Sequence, residues 1–136
     1  MALPSQGEIS IGSEMDIVTA RKTVREVATA LGFGLTDVTR VVTAASELAR
    51  NIYTFAGQGV MRWCALNRPA GVGLELTFED HGPGIPDVER ALQPAYTTAK
   101  GMGMGLPGSQ RLMDELEIRS VVGHGTTVVV RKWRKR

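Results

Sequence analysis

Residues 36–52 read TDVTRVVTAASELARNI. Val38, Val41, Val42, Ala45, Leu48, Ala49 and Ile52 recur at helical spacing and make one apolar stripe. Glu47 and Asn51 stand one turn apart, facing roughly 130° away from the centre of that stripe. They belong to the polar side of a core-facing helix. Taken alone, they are an ordinary solvated glutamate and asparagine.

Working outward, the spacing predicts an earlier helix from Ser13 to about Leu31. Ser13 is its N-cap, Asp16 completes a box-like start, and Gly32 and Gly34 end it. Ile17, Ala20, Val24, Val27, Ala28 and Leu31 are its apolar set. A short strand, Glu8 to Ile11, precedes it. Downstream, Gly57 and Gly59 close the second helix. Val60 to Leu66 and Val72 to Phe78 then read as an antiparallel hairpin turning at Arg68 to Gly71. From Glu79 to Gly108 the chain is rich in Gly and Pro, with a short helix near Asp87 to Leu92. A segment that irregular inside a small domain is usually functional. A helix from Gly108 to Glu115 and strands at Leu116–Val122 and Thr126–Trp133, joined by Gly123-His124-Gly125, complete the order. The expected fold is an α/β (α+β) two-layer sandwich, with a mainly antiparallel mixed sheet covered by helices on one face.

The chain has 136 residues, 43% hydrophobic and 22% charged, which suits one soluble domain with one core. No apolar run approaches the roughly 20 residues of a membrane span. Met1 to Ser13 lacks a signal-peptide pattern, and the single Cys64 excludes an internal disulfide, so the expected location is cytoplasmic. Cys64 itself reads as strand packing. Five of the last six residues are basic, leaving 11 basic against 14 acidic in the rest. That tail reads as a solvated strand end in which Trp133 packs back or stays free. Neither a nucleic acid nor a membrane is an expected partner.

Two further stretches carry chemistry. Asp80-His81-Gly82-Pro83-Gly84-Ile85-Pro86 follows a strand directly. It offers a carboxylate beside glycines that permit close approach, though a Pro-Gly turn needs no function. Lys100-Gly101-Met102-Gly103-Met104-Gly105-Leu106 leads into a helix, and its alternate glycines leave amides free to wrap an anion, or simply make a loop. Gly103, Gly105 and Gly108 spell G-x-G-x-x-G without the preceding strand that a dinucleotide fold requires. No P-loop, H-R-D or D-F-G element is present. His81, His124 and Cys64 lack metal-ligand spacing.

In this order, Glu47-x-x-x-Asn51, Asp80-x-Gly82-x-Gly84, Gly101-x-Gly103-x-Gly105 and Gly125-Thr126 resemble the four boxes of the GHKL ATPases. The chain is too short for the extra domains of gyrase, Hsp90, MutL or a histidine kinase. It is most similar to the free-standing serine kinases of bacterial partner switching, over about Met15 to Trp133. The resemblance implies the Bergerat fold, with residues 1–136 as a single domain and about 94–106 as a mobile ATP lid. It implies ATP and Mg²⁺ as cofactors, Glu47 as general base and Asn51 as the magnesium ligand. Asp80 would take the adenine amino group, helped by Gly82, Gly84, Ile85 and Thr126. Lys100, Gly101, Met102, Gly103, Met104, Gly105 and Leu106 would surround the phosphates. One departure stands out: related anti-sigma kinases have an arginine where this chain has Gly101, next to Lys100. The implied partners are a STAS-domain antagonist as substrate, a stressosome scaffold and a PP2C-type phosphatase regulator. A second reading is a nucleotide-gated adaptor or anti-sigma factor that binds with little turnover.

Overall fold

Ser13 starts the first helix as its spacing requires. In the computed structural model, which describes residues 5–69, 71–92 and 106–135, helix α1 runs Glu14–Ala30. The Ser13 hydroxyl accepts the Asp16 amide at 3.1 Å, and the Asp16 carboxylate accepts the Gly12 amide at 2.9 Å. The first bond satisfies an orphan amide of the helix, the second fixes the chain entering it, and acidic groups sit at the positive end. Gly32, at φ +88°, ends the helix, with the Phe33 amide bonded back to the Ala28 carbonyl at 3.1 Å. This left-handed residue is the usual role of glycine past a helix end.

Helix α2 spans Leu35–Asn51, starting one residue before the expected Thr36 and without a side-chain cap. It passes directly into a π-helical turn, Ile52–Ala56, which Gly57 ends at φ +81°. The helical spacing that ends at Ile52 did not announce that turn.

Five strands form the sheet: β1 Gln6–Ile11, β2 Gly59–Arg68, β3 Gly71–Asp80, β4 Glu115–Val121 and β5 Gly125–Trp133. Their order is β1-β2-β3-β5-β4, and each of the four pairings is antiparallel. Met61 lies opposite Phe78 and Phe78 opposite Val128, so these residues share a face with Leu74, Leu76 and Val130. That face is buried against Ile17 and Val24 of α1 and Val41 and Leu48 of α2, giving one core. Asp80 and Thr126 are in phase with Phe78 and Val128, so the pair leaves the sheet on the helix side, at its end. Two shorter helices flank the site: α3 Val88–Ala91 and α4 Leu106–Leu112. Helix α4 starts two residues before the expected Gly108 because Pro107 is accommodated in its first turn, where no amide is needed. No described helix is long and apolar enough to cross a membrane.

The other face of the sheet is charged and internally paired. Arg131 reaches Glu75 at 2.7 Å, Glu117 at 2.8 Å and Glu115 at 3.1 Å, and Arg62 meets Glu79 at 2.6 Å. Trp133 lies here, its indole N–H on Glu115 at 2.7 Å and the Arg68 guanidinium 5.4 Å from its ring centroid. The expectation of a solvated basic end is therefore corrected. Arg131 is paired, Lys132 is 5% exposed, and Arg134 donates to the Leu31 carbonyl at 2.8 Å. Strand phase, which a reading of charge alone ignores, put Arg131 and Lys132 against acidic neighbours.

The Trp133 indole, with Arg131, holds the Glu115 carboxyl below the usual carboxylate range. A carboxyl lowered in the folded state adds stability above its unfolded pKa, and that contribution is lost as pH falls through the folded value. Trp133→Phe should therefore cost most near neutrality. The gap in urea midpoint between wild type and variant should shrink as pH drops below about 4.3. A gap that widens on acidification would show the sign to be wrong.

Candidate functional site

The end of β3 delivers Asp80, and the next four residues fold back onto it. One carboxylate oxygen accepts the Gly82 amide at 2.9 Å and the Thr126 amide of β5 at 3.3 Å. The other oxygen has no hydrogen-bond partner among the described residues. Half of the group is thus spent on orientation and half keeps its accepting capacity.

Glycines let these segments meet. A Cβ on Gly125, at φ +131°, would collide with the Asp80 carbonyl oxygen. One on Gly84, at φ +80°, would come within 2.6 Å of the Val121 carbonyl. Neither position admits a side chain without moving backbone. Ser120 of β4 ties the loop to the strands: its hydroxyl accepts the Ile85 amide at 2.6 Å and lies 2.8 Å from the Thr126 hydroxyl.

Around Asp80 is a cavity of about 50 Å³. Asn51, Ile52 and Phe55 line it from α2 and the π-helical turn, Gly84 and Ile85 from the loop, Thr126 from β5 and Leu106 from α4. The walls are mostly apolar, with one carboxylate accepting capacity inside. Apolar walls with one acceptor match the chemistry of a flat heterocycle carrying an amino group, and the cavity must widen to admit one.

The sequence-derived residues thus divide. Asn51, Asp80, Gly84, Ile85, Leu106 and Thr126 meet at one cavity, and Gly82 orients Asp80 from beside it. Glu47 is half-buried one turn before Asn51, has no hydrogen-bond or ion-pair partner among the described residues, and does not line the cavity. Lys100, Gly101, Met102, Gly103, Met104 and Gly105 lie outside the described residues. Sequence reasoning missed Phe55, Pro83 and Ser120. Ser120 was within reach, since the Gly123-His124-Gly125 turn sets it opposite Thr126. Phe55 was not, because the π-helical turn shifts the phase of the face.

Among the described residues no three His, Cys, Asp or Glu side chains cluster as a metal cage. A single amide side chain at the cavity wall fits Mg²⁺, which is commonly held by one or two protein groups together with phosphate oxygens and water.

Residues 13–132 match the histidine kinase-like ATPase domain family. Over 128 residues the chain is 46% identical to serine/threonine-protein kinase RsbT of Bacillus subtilis, covering 94% of this chain and 96% of that protein. It is 34% identical to the anti-sigma F factor of Priestia megaterium, over 83% of this chain and 81% of the relative. To the anti-sigma F factor of Halalkalibacterium halodurans it is 38% identical, with the same two coverages.

Proposed function

The chain belongs to the histidine kinase-like ATPase family, and on that premise we propose that it is a serine/threonine protein kinase, passing the ATP γ-phosphate to a STAS-domain antagonist in a partner-switching pathway. The observation that carries this is the half-committed Asp80 carboxylate in a cavity shared with Asn51 and Leu106. The free oxygen accepts the adenine amino group, and Ile52, Phe55 and Ile85 flank the ring. Asn51 would hold Mg²⁺ through its side-chain oxygen, and the ion would supply charge neutralisation at the phosphates. Residues 100–105 form the remaining phosphate contacts, within a lid of about 94–106 on the single domain. Glu47 accepts the proton of the target hydroxyl as that oxygen attacks the γ-phosphorus; the bond to the ADP oxygen breaks and ADP leaves. Phosphoryl transfer asks chiefly for positioning and charge, which this set provides.

The near full-length similarity to a curated kinase supports transfer over simple binding. The pathway reading places the protein in the cytoplasm on a stressosome scaffold, from which it passes to a PP2C-type phosphatase regulator after transfer. The test is incubation with γ-labelled ATP and a STAS-domain candidate, and the expected product is a phosphoserine or phosphothreonine protein. Tight, nucleotide-dependent binding without any phosphoprotein would instead favour an adaptor or anti-sigma role, the reading that the anti-sigma F relatives support.

A further inference from the structure

Lys132 sits on the helix side of β5, in phase with Val128 and Val130, and only 5% of it is exposed. Its ammonium donates to the Leu112 carbonyl at 2.9 Å and lies 3.4 Å from Asp114 and 3.8 Å from Asp37. Leu112 is the last residue of α4, so a buried cation meets the carbonyl end of that helix, where the dipole is negative. Asp37, itself 6% exposed, belongs to the first turn of α2. Asp114 accepts the Trp133 amide at 2.8 Å, and its own amide bonds the Arg131 carbonyl at 2.9 Å. One lysine therefore joins α2, the C-terminal end of α4 and the last strand. At the opposite end of α4, about 10 Å away at helical rise, is Leu106, 1% exposed and part of the cavity wall.

We propose that Lys132 is a positioning residue for nucleotide binding: it clamps the C-terminal end of α4 and so holds Leu106 against the cavity. The effect on nucleotide rests on the functional reading above; the clamp itself does not.

Lys132→Met keeps the length and the apolar stem. Asp37 retains Arg40, 2.9 Å away, and the Asp114 side chain is 40% exposed, so the variant leaves no isolated buried charge. Amide exchange in the ligand-free protein should quicken about tenfold in α4, the size of one charge-assisted hydrogen bond, with α1 and β3 unchanged. ATP affinity should fall about tenfold as well. Combined with Leu106→Ala, Lys132→Met should cost less than the sum of the two single effects, since both act on one wall. Lys132→Arg should recover part of the affinity. Unchanged exchange in α4 would overturn the clamp, whatever ATP does. Exchange that quickens while ATP affinity holds, or strict additivity with Leu106→Ala, would overturn the link to the cavity. Should the wild-type chain not bind ATP, the nucleotide reading fails, and α4 exchange still decides the clamp.

Discussion

Glu47→Gln is expected to lower phosphoryl transfer to the protein substrate by about 10²- to 10⁴-fold, the usual contribution of a positioned general base, while ATP affinity stays within about threefold. The two readouts separate because Glu47 lies outside the cavity that holds Asp80. It also has no ion pair or hydrogen bond among the described residues, so removing its charge strands no partner. Glutamine has nearly the same shape but accepts a proton far less readily. The check is single-turnover transfer of label beside a binding titration. Transfer within threefold of wild type would move the base elsewhere.

Asp80→Asn should have the opposite profile, with ATP affinity reduced about 100-fold or more and the fold intact. An asparagine oxygen can still accept the Gly82 and Thr126 amides, which fixes the side chain as in wild type. That leaves an NH₂ where the free carboxylate oxygen was, facing the adenine amino group donor to donor. The lost charge-assisted bond and the new unsatisfied pair together account for roughly 3 kcal/mol. Equilibrium binding gives the affinity, and urea unfolding checks that the loss is not one of folding.

The elements whose signals are local were legible in the sequence. Ser13 and Asp16 announced α1, and the stripe from Val38 to Ile52 announced α2. All five strands were expected, β4 and β5 to within one residue at both ends and β2 and β3 two residues short at their C-terminal ends. Two shifts have simple causes. Helix α4 starts at Leu106 because Pro107 fits its first turn, and β1 extends back to Gln6 because β2 offers it partners out to Cys64. Part of the candidate cavity was legible as motifs, since Asp80, Gly84 and Thr126, named from the sequence, meet at it, and Gly84 has a positive φ that favours glycine. What escaped depends on contacts between distant segments. Lys132 looked like one of several tail cations until its strand phase set it beside Asp37 and Leu112. Ser120 drew no attention until β4 set it opposite Thr126.

Adenine selectivity is the most direct measurement of the site. The isolated chain, titrated calorimetrically with ATP and then with GTP in excess Mg²⁺, should bind ATP at one site and GTP at least about tenfold more weakly. Guanine brings a carbonyl oxygen where adenine brings an amino group, and the Asp80 carboxylate accepts only from the latter. Equal binding of the two nucleotides, or no heat with ATP, would contradict the assignment of this cavity to the adenine ring.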